Sequence, residues 1–193
     1  MRPGSLNSAH RFTKLVCYLV AVVFLSGGLF AGQALGKTGK EIDASVDAAL
    51  DRFYKHVKDG KEVVGKAKGI LVLPSVKKGA LIVGGEYGRG AMRIDGKTVE
   101  YYSMIVGSIG FQIGGQARDI IIAFMSSDAL KNFRASKGWE AGTDGNVALI
   151  TLGTGGKAIS SMGNDPIVAF VFDVKGLIAD VSMNGAKFNK LDK

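Results

Sequence analysis

The apolar positions of the chain change period part-way along. From Glu41 onward, Ile42, Val46, Ala49, Leu50, Phe53 and Val57 recur at offsets of 0, 4, 7, 8, 11 and 15. That spacing predicts one amphipathic helix with an apolar stripe about 100° wide. Its opposite face carries Asp43, Asp47 and Asp51 and then Lys55 and Lys58, an order that suits the helix dipole. A surface-seeking helix is usually basic along its whole polar face, so this one is expected to pack on its own domain. A short second helix is expected over residues 61–67.

After Gly69 the texture becomes that of strands. Residues 70–73 are a continuous apolar run that Pro74 is expected to stop. Strands are predicted over residues 80–85, 88–94 and 97–106, the last two joined by the hairpin signal Asp95-Gly96. Further strands are expected at 108–116, 120–125 and 147–152. Residues 167–172, 177–183 and 186–188 read as a closing meander. Ser126-Ser127-Asp128 marks the start of a connector helix over 129–134. The fold expected is α+β: a Gly-rich antiparallel β-sandwich or barrel-like core, with the N-terminal amphipathic helix and one short connector helix.

Ahead of this pattern lies a stretch of another kind. Arg2, Arg11 and Lys14 precede an apolar run from Leu15 to Phe30, followed by the small residues Ala31, Gly32, Ala34 and Gly36. This three-part order is that of a secretory signal peptide over residues 1–36, with residues 37–193 as the mature domain. At about sixteen residues the run is shorter than the roughly 20 a bilayer span needs, and an uncleaved signal anchor is the alternative. A periplasmic or secreted location is expected. Residues 1–36 hold three basic and no acidic residues. Of the chain's 25 basic and 17 acidic residues, 22 and 17 therefore remain beyond it, a net charge of +5 in place of +8.

Composition narrows the chemistry. The chain has one cysteine, in the leader, and two histidines, of which only His56 lies beyond it. A disulfide framework and a Cys-based zinc site are excluded, and His56 has no helical partner at zinc-ligand spacing. No G-x-S-x-G elbow is present. The run Gly84-Gly85-Glu86-Tyr87-Gly88-Arg89-Gly90 has the wrong order for a dinucleotide loop and no surrounding βαβ unit. No catalytic residue, metal site or cofactor is expected. Glycine is the outlier, 28 of 193 residues. Gly84, Gly85, Gly88, Gly90, Gly107, Gly110, Gly114 and Gly115 fall inside predicted strands, where glycine marks a bulge, a bend or close backbone approach.

The basic residues are spread along the chain, which weighs against nucleic acid as a partner. One cluster stands out: Lys66, Lys68, Lys77 and Lys78, with Arg89 and Arg93 further on. Lys77 and Lys78 follow Pro74 and are expected on a turn, beside the apolar run 70–73. The cluster reads either as a contact for anionic phospholipid or as a solvated rim.

Several blocks resemble the SYLF domain: residues 67–74 (Ala-Lys-Gly-Ile-Leu-Val-Leu-Pro), 84–91 (Gly-Gly-Glu-Tyr-Gly-Arg-Gly-Ala), Tyr101-Tyr102-Ser103, 110–116 (Gly-Phe-Gln-Ile-Gly-Gly-Gln), 133–140 with Gly138-Trp139-Glu140, and Phe170-Val171-Phe172 leading to Lys175-Gly176-Leu177. The chain is most similar in organisation to the bacterial branch of that family. The resemblance implies a non-enzymatic lipid- or membrane-binding module. Eukaryotic members join membranes and actin patches and bind phosphoinositides through a basic N-terminal segment together with the domain. Here the leading helix carries Glu41, Asp43, Asp47 and Asp51 instead, and a bacterial envelope offers phosphatidylglycerol or cardiolipin. The alternative is an envelope structural or protein-interaction domain that binds no lipid.

Overall fold

A computed structural model describes residues 37–79, 84–108, 116–175 and 182–193. The expected signal peptide, most of the strands expected at 80–85, 108–116 and 177–183, and Gly110, Gly114 and Gly115 lie outside the described residues. Residues 37–193 form one compact unit.

Helix α1 spans Gly39–His56. Thr38 caps it: its hydroxyl accepts the Glu41 amide, and Glu41 reaches back to the Thr38 amide at 2.7 Å. This reciprocal box satisfies two donors that a helix start otherwise leaves open, and it holds the Glu41 carboxyl below its usual range. The expected stripe is buried at Ile42, Val46, Ala49 and Phe53. Helix α2 follows at Gly60–Lys66 and helix α3 at Ser127–Ala135, the latter capped by Ser126.

The strands are β1 (Gly69–Gly79), β2 (Gly84–Ile94), β3 (Lys97–Ser108), β4 (Gln116–Phe124), β5 (Trp139–Glu140), β6 (Ala148–Thr151), β7 (Ile167–Lys175) and β8 (Ala186–Leu191). They form one curled sheet in the order β5-β8-β3-β2-β1-β4-β7-β6. A β-rich α+β fold is present. Of the two cores expected, sandwich or barrel-like, the described strands come nearer the second: one curled sheet, with helices on its faces where a sandwich would pack a second sheet. The sheet is also mixed, since β6 runs parallel to β7. The outer strands of the expected meander do not pair with each other, and its middle stretch, 177–183, lies mostly outside the described residues. Strand β7 pairs with β4 and β6, whereas β8 pairs with β3 and β5 on the other side.

Two apolar cores lie on opposite faces, as strand alternation dictates. On one face Leu71, Leu73, Met92, Tyr102, Met104, Ile122 and Phe124 pack with Leu130 and Phe133 of α3 and with Trp139 and Phe188. On the other, Ile70, Val72, Ala91, Ile121, Phe170 and Phe172 receive α1 and α2. Full burial of each large side chain contributes about 1.5–3 kcal/mol, so both faces are firmly closed where helices cover them.

Pro74 does not end β1, contrary to expectation. The strand continues through an irregularity in which Leu73 and Val76 face Ile120 and Arg118, three positions on β1 against two on β4. Ser75 there has φ 51°. Its amide donates to buried Asp119 at 2.8 Å, which replaces the lost ladder bond. Asp119 in turn accepts Arg52 of α1 at 2.8 Å, and Arg52 also pairs with Asp173 of β7 at 3.1 Å. A bulge tolerates the proline that an unbroken central strand would not. The Asp95-Gly96 turn joins β2 to β3 as expected, with φ 50° and 75° at its two central residues.

Candidate functional site

The six basic residues singled out in the sequence do not come together. Arg93 is drawn inward. Its Nη2 donates to Asp47 at 2.8 Å and lies 3.5 Å from Asp43, and its side chain is 15% exposed. Asp43 also accepts the hydroxyls of Thr98 at 2.7 Å and Tyr101 at 2.8 Å. The acidic face of α1 thus partly serves to dock the helix on β2 and β3. Arg93 is a structural cation, and its guanidinium is committed there.

Lys66 ends α2 and Lys68 lies just ahead of β1, whereas Lys77 and Lys78 sit near the far end of that strand. Lys77 and Lys78 are not on a turn. Lys77 pairs with Tyr87 of β2 and Ala117 of β4, and Lys78 with Glu86 and Gln116. The run from Lys68 to Lys77 therefore spans on the order of 25 Å along an extended strand. A single local cluster in sequence becomes two groups at opposite ends of the sheet.

The Lys77 end carries the more complete surface. Partners facing each other across a sheet present side chains on the same face. The registers run from Lys187 on β8 to Ile105 on β3, Tyr87 on β2, Lys77 on β1, Ala117 on β4 and Lys175 on β7. Five of these six side chains are exposed, and Ala117 is half-buried. Ile105 is 48% and Tyr87 42% exposed, although they lie on the face that α1 covers further along. The row reads Lys-Ile-Tyr-Lys-Ala-Lys. Arg89 lies next to it, its guanidinium 5.4 Å from the Tyr87 ring centroid and its Nε donating to the Tyr87 hydroxyl. Lys37, Pro74, Ser75, Lys77, Tyr87, Gly88 and Arg89 line a shallow cavity of about 200 Å³ here. That lining holds three cations and no carboxylate. Lys187 and Lys175 meet Glu140 at 3.4 Å and Asp173 at 3.8 Å, exposed pairings that leave most of their charge to solvent.

At the other end, Lys66 and Lys68 line a groove of about 600 Å³ with Lys131 and Arg134. Lys66 pairs with Glu62 at 2.7 Å. Sequence reasoning found neither Lys131 nor Arg134, and it also missed Lys175, Lys187 and Ile105. Lys175, Lys187 and Ile105 stand apart in sequence and only the strand register brings them into line, whereas Lys131 and Arg134 reach the groove on helix α3.

The carboxylates with displaced pKa values are structural. Burial would raise Asp59, but the amides of Ala158 and Ile159, at 2.7 and 2.8 Å, lower it and fix the short 3-10 turn Ile159–Ser161 against the chain between α1 and α2. Glu100 is lowered to about 2: burial opposes this, and bonds from Arg134, Tyr102 and Lys190 outweigh it. His56 is half-buried at the end of α1, where its carbonyl accepts the Gly155 amide at 2.7 Å. Among the described residues no helix is long and apolar enough to cross a membrane.

Residues 106–193 match the family described as Ysc84, Las17-binding protein actin regulator. The match takes in the strands from the end of β3 to β8, together with Lys175 and Lys187. No match is found among curated proteins.

Proposed function

We propose that this chain, whose likeness to the SYLF domain the Ysc84 match bears out over residues 106–193, is a non-enzymatic module that binds an anionic membrane surface through the Lys77 end of its sheet. The observation that carries the reading is the exposed row Lys187-Ile105-Tyr87-Lys77-Ala117-Lys175, with Arg89 and Lys37 beside it. A cation near an anionic bilayer contributes on the order of 1 kcal/mol. The row and its neighbours together reach the range of reversible membrane attachment. Ile105 and Tyr87 add an exposed apolar and an exposed amphipathic side chain, of the kind that settles at a lipid interface. Export by the N-terminal leader would place the domain in the periplasm or outside the cell. Phosphatidylglycerol or cardiolipin is then the lipid within reach.

Co-sedimentation of residues 37–193 with phosphatidylcholine vesicles, with and without phosphatidylglycerol, tests this. Binding is expected only with the anionic lipid, and it should weaken as salt rises. The triple variant K77E/K175E/K187E should bind about a hundredfold more weakly, at roughly 1 kcal/mol per lysine lost. Equal binding to both vesicle types, or none at low salt, sinks the reading. The family's description as Las17-binding favours a second reading, a protein-interaction domain without lipid contact. In that case K77E/K78E leaves localisation and partner recovery unchanged.

A further inference from the structure

The groove at the opposite end of β1 has no part in that reading, yet its walls are unusually cationic. Lys66 and Lys68 come from the end of α2 and the link into β1, and Lys131 and Arg134 from α3. Ile94 and Leu130 supply apolar lining, and Ser127 stands at the start of α3. Four cations line it against one carboxylate, Asp95.

The rims are held in place by the fold. The Lys68 amide donates to the Phe124 carbonyl at 2.8 Å, which locks the backbone beneath that side chain. Glu100 grips Arg134 through both Nε and Nη2 at 3.1 Å, so Arg134 contributes charge here but no free fork. Lys66 is likewise paired with Glu62. Lys68 and Lys131 are exposed and have no carboxylate partner among the described residues. A groove of about 600 Å³ with two uncommitted ammonium groups has the size and charge for a phosphate-bearing group with its glycerol backbone.

We propose that this groove is a second site for a phosphate-bearing anion, and that one molecule thereby bridges two anionic bilayers. The groove lies across one end of the sheet, between the α2 and α3 layers, and the Lys77 row lies at the other end. Strand β1 separates them by on the order of 25 Å. The row stands on the α1 face near the far end of β1, so the groove and the row are separate surfaces that can each take a headgroup.

The test mixes the full chain with phosphatidylcholine vesicles containing phosphatidylglycerol and follows vesicle clustering by dynamic light scattering, alongside co-sedimentation. The unaltered chain should cluster the vesicles. K68E/K131E should still sediment with them but cluster them about thirtyfold less. Clustering by K68E/K131E equal to that of the unaltered chain overturns the proposal, as does an unaltered chain that sediments without clustering. K77E/K175E/K187E serves as the separate control. The bridging rests on the membrane reading of the Lys77 end, so if that variant sediments as well as the unaltered chain the bridging fails with it, while the groove as an anion site stands or falls on K68E/K131E. Inorganic phosphate at matched ionic strength distinguishes the source. Dispersal of the clusters assigns the groove to the phosphate group itself, and persistence assigns it to a membrane-borne headgroup; both support the site.

Discussion

A methyl group at position 90 would sit 1.8 Å from the Val72 carbonyl oxygen and 3.0 Å from the Leu73 Cα. The obstacle is backbone, which has nowhere to move without breaking the β1–β2 ladder. At Gly88 a methyl group would meet the Val76 side chain at 2.8 Å, again on the β1 stretch that holds the bulge. Gly90→Ala is therefore expected to destabilise the domain by about 3 kcal/mol or more, at the upper end of overpacking costs. Urea unfolding followed by circular dichroism would read this as a clear drop in midpoint, and an unchanged midpoint would refute the close approach. The strand glycines were legible in sequence as bends or close contacts. Which of them carries the contact was not, because that depends on where β1 presses over β2. Arg93 shows the same limit. Its charge is plain in the sequence, but its partners Asp43 and Asp47 lie 50 and 46 residues away on another element.

At the scale of elements, Glu100 joins three of them. Its carboxylate accepts Tyr102 of β3 at 2.7 Å, Arg134 of α3 at 3.1 Å and Lys190 of β8 at 2.9 Å. These bonds hold its pKa at about 2 against an ordinary 4.5. A carboxyl whose folded value is lowered adds stability that is fully present above the unfolded value and drains away as pH falls through the folded one. Glu100→Gln should thus cost about 2 kcal/mol at neutral pH, the scale of hydrogen bonds to a charged group. The gap between variant and unaltered chain should close between pH 4.5 and pH 2. Thermal melts across that range would decide it, and a gap that stays constant with pH would contradict the assignment. Among the elements themselves, α1 and the β2–β3 hairpin were legible because their signals are local: a helical period, a capping box, an Asp-Gly turn. Strand β1 was truncated at Pro74 because the compensating acceptor, Asp119, lies 44 residues downstream. The parallel pairing of β6 and the separation of β8 from β7 follow from long-range partners that local pattern does not encode.

The whole molecule sorts its charge by position along the sheet. Three lysines of the Lys77 row come from β1, β7 and β8, elements scattered over more than a hundred residues, and six strands must be in register before they form a line. The sequence therefore shows a basic domain with blocks that resemble the SYLF family, but it puts Lys66, Lys68, Lys77 and Lys78 in one cluster where the fold makes two. Both ends are carried by β1, which has neighbours hydrogen-bonded along both its edges. Any pair of partners gripping the molecule at Lys68 and at Lys77 would pull along this strand, at right angles to its hydrogen bonds. The covalent backbone of β1 would carry that tension, while the ladders to β2 and β4 hold the strand straight without being loaded themselves. Single-molecule pulling through cysteines introduced at 68 and 77 should accordingly release almost no length, whereas cysteines at 187 and 140 should part readily, since only the two-residue pairing of β5 with β8 resists.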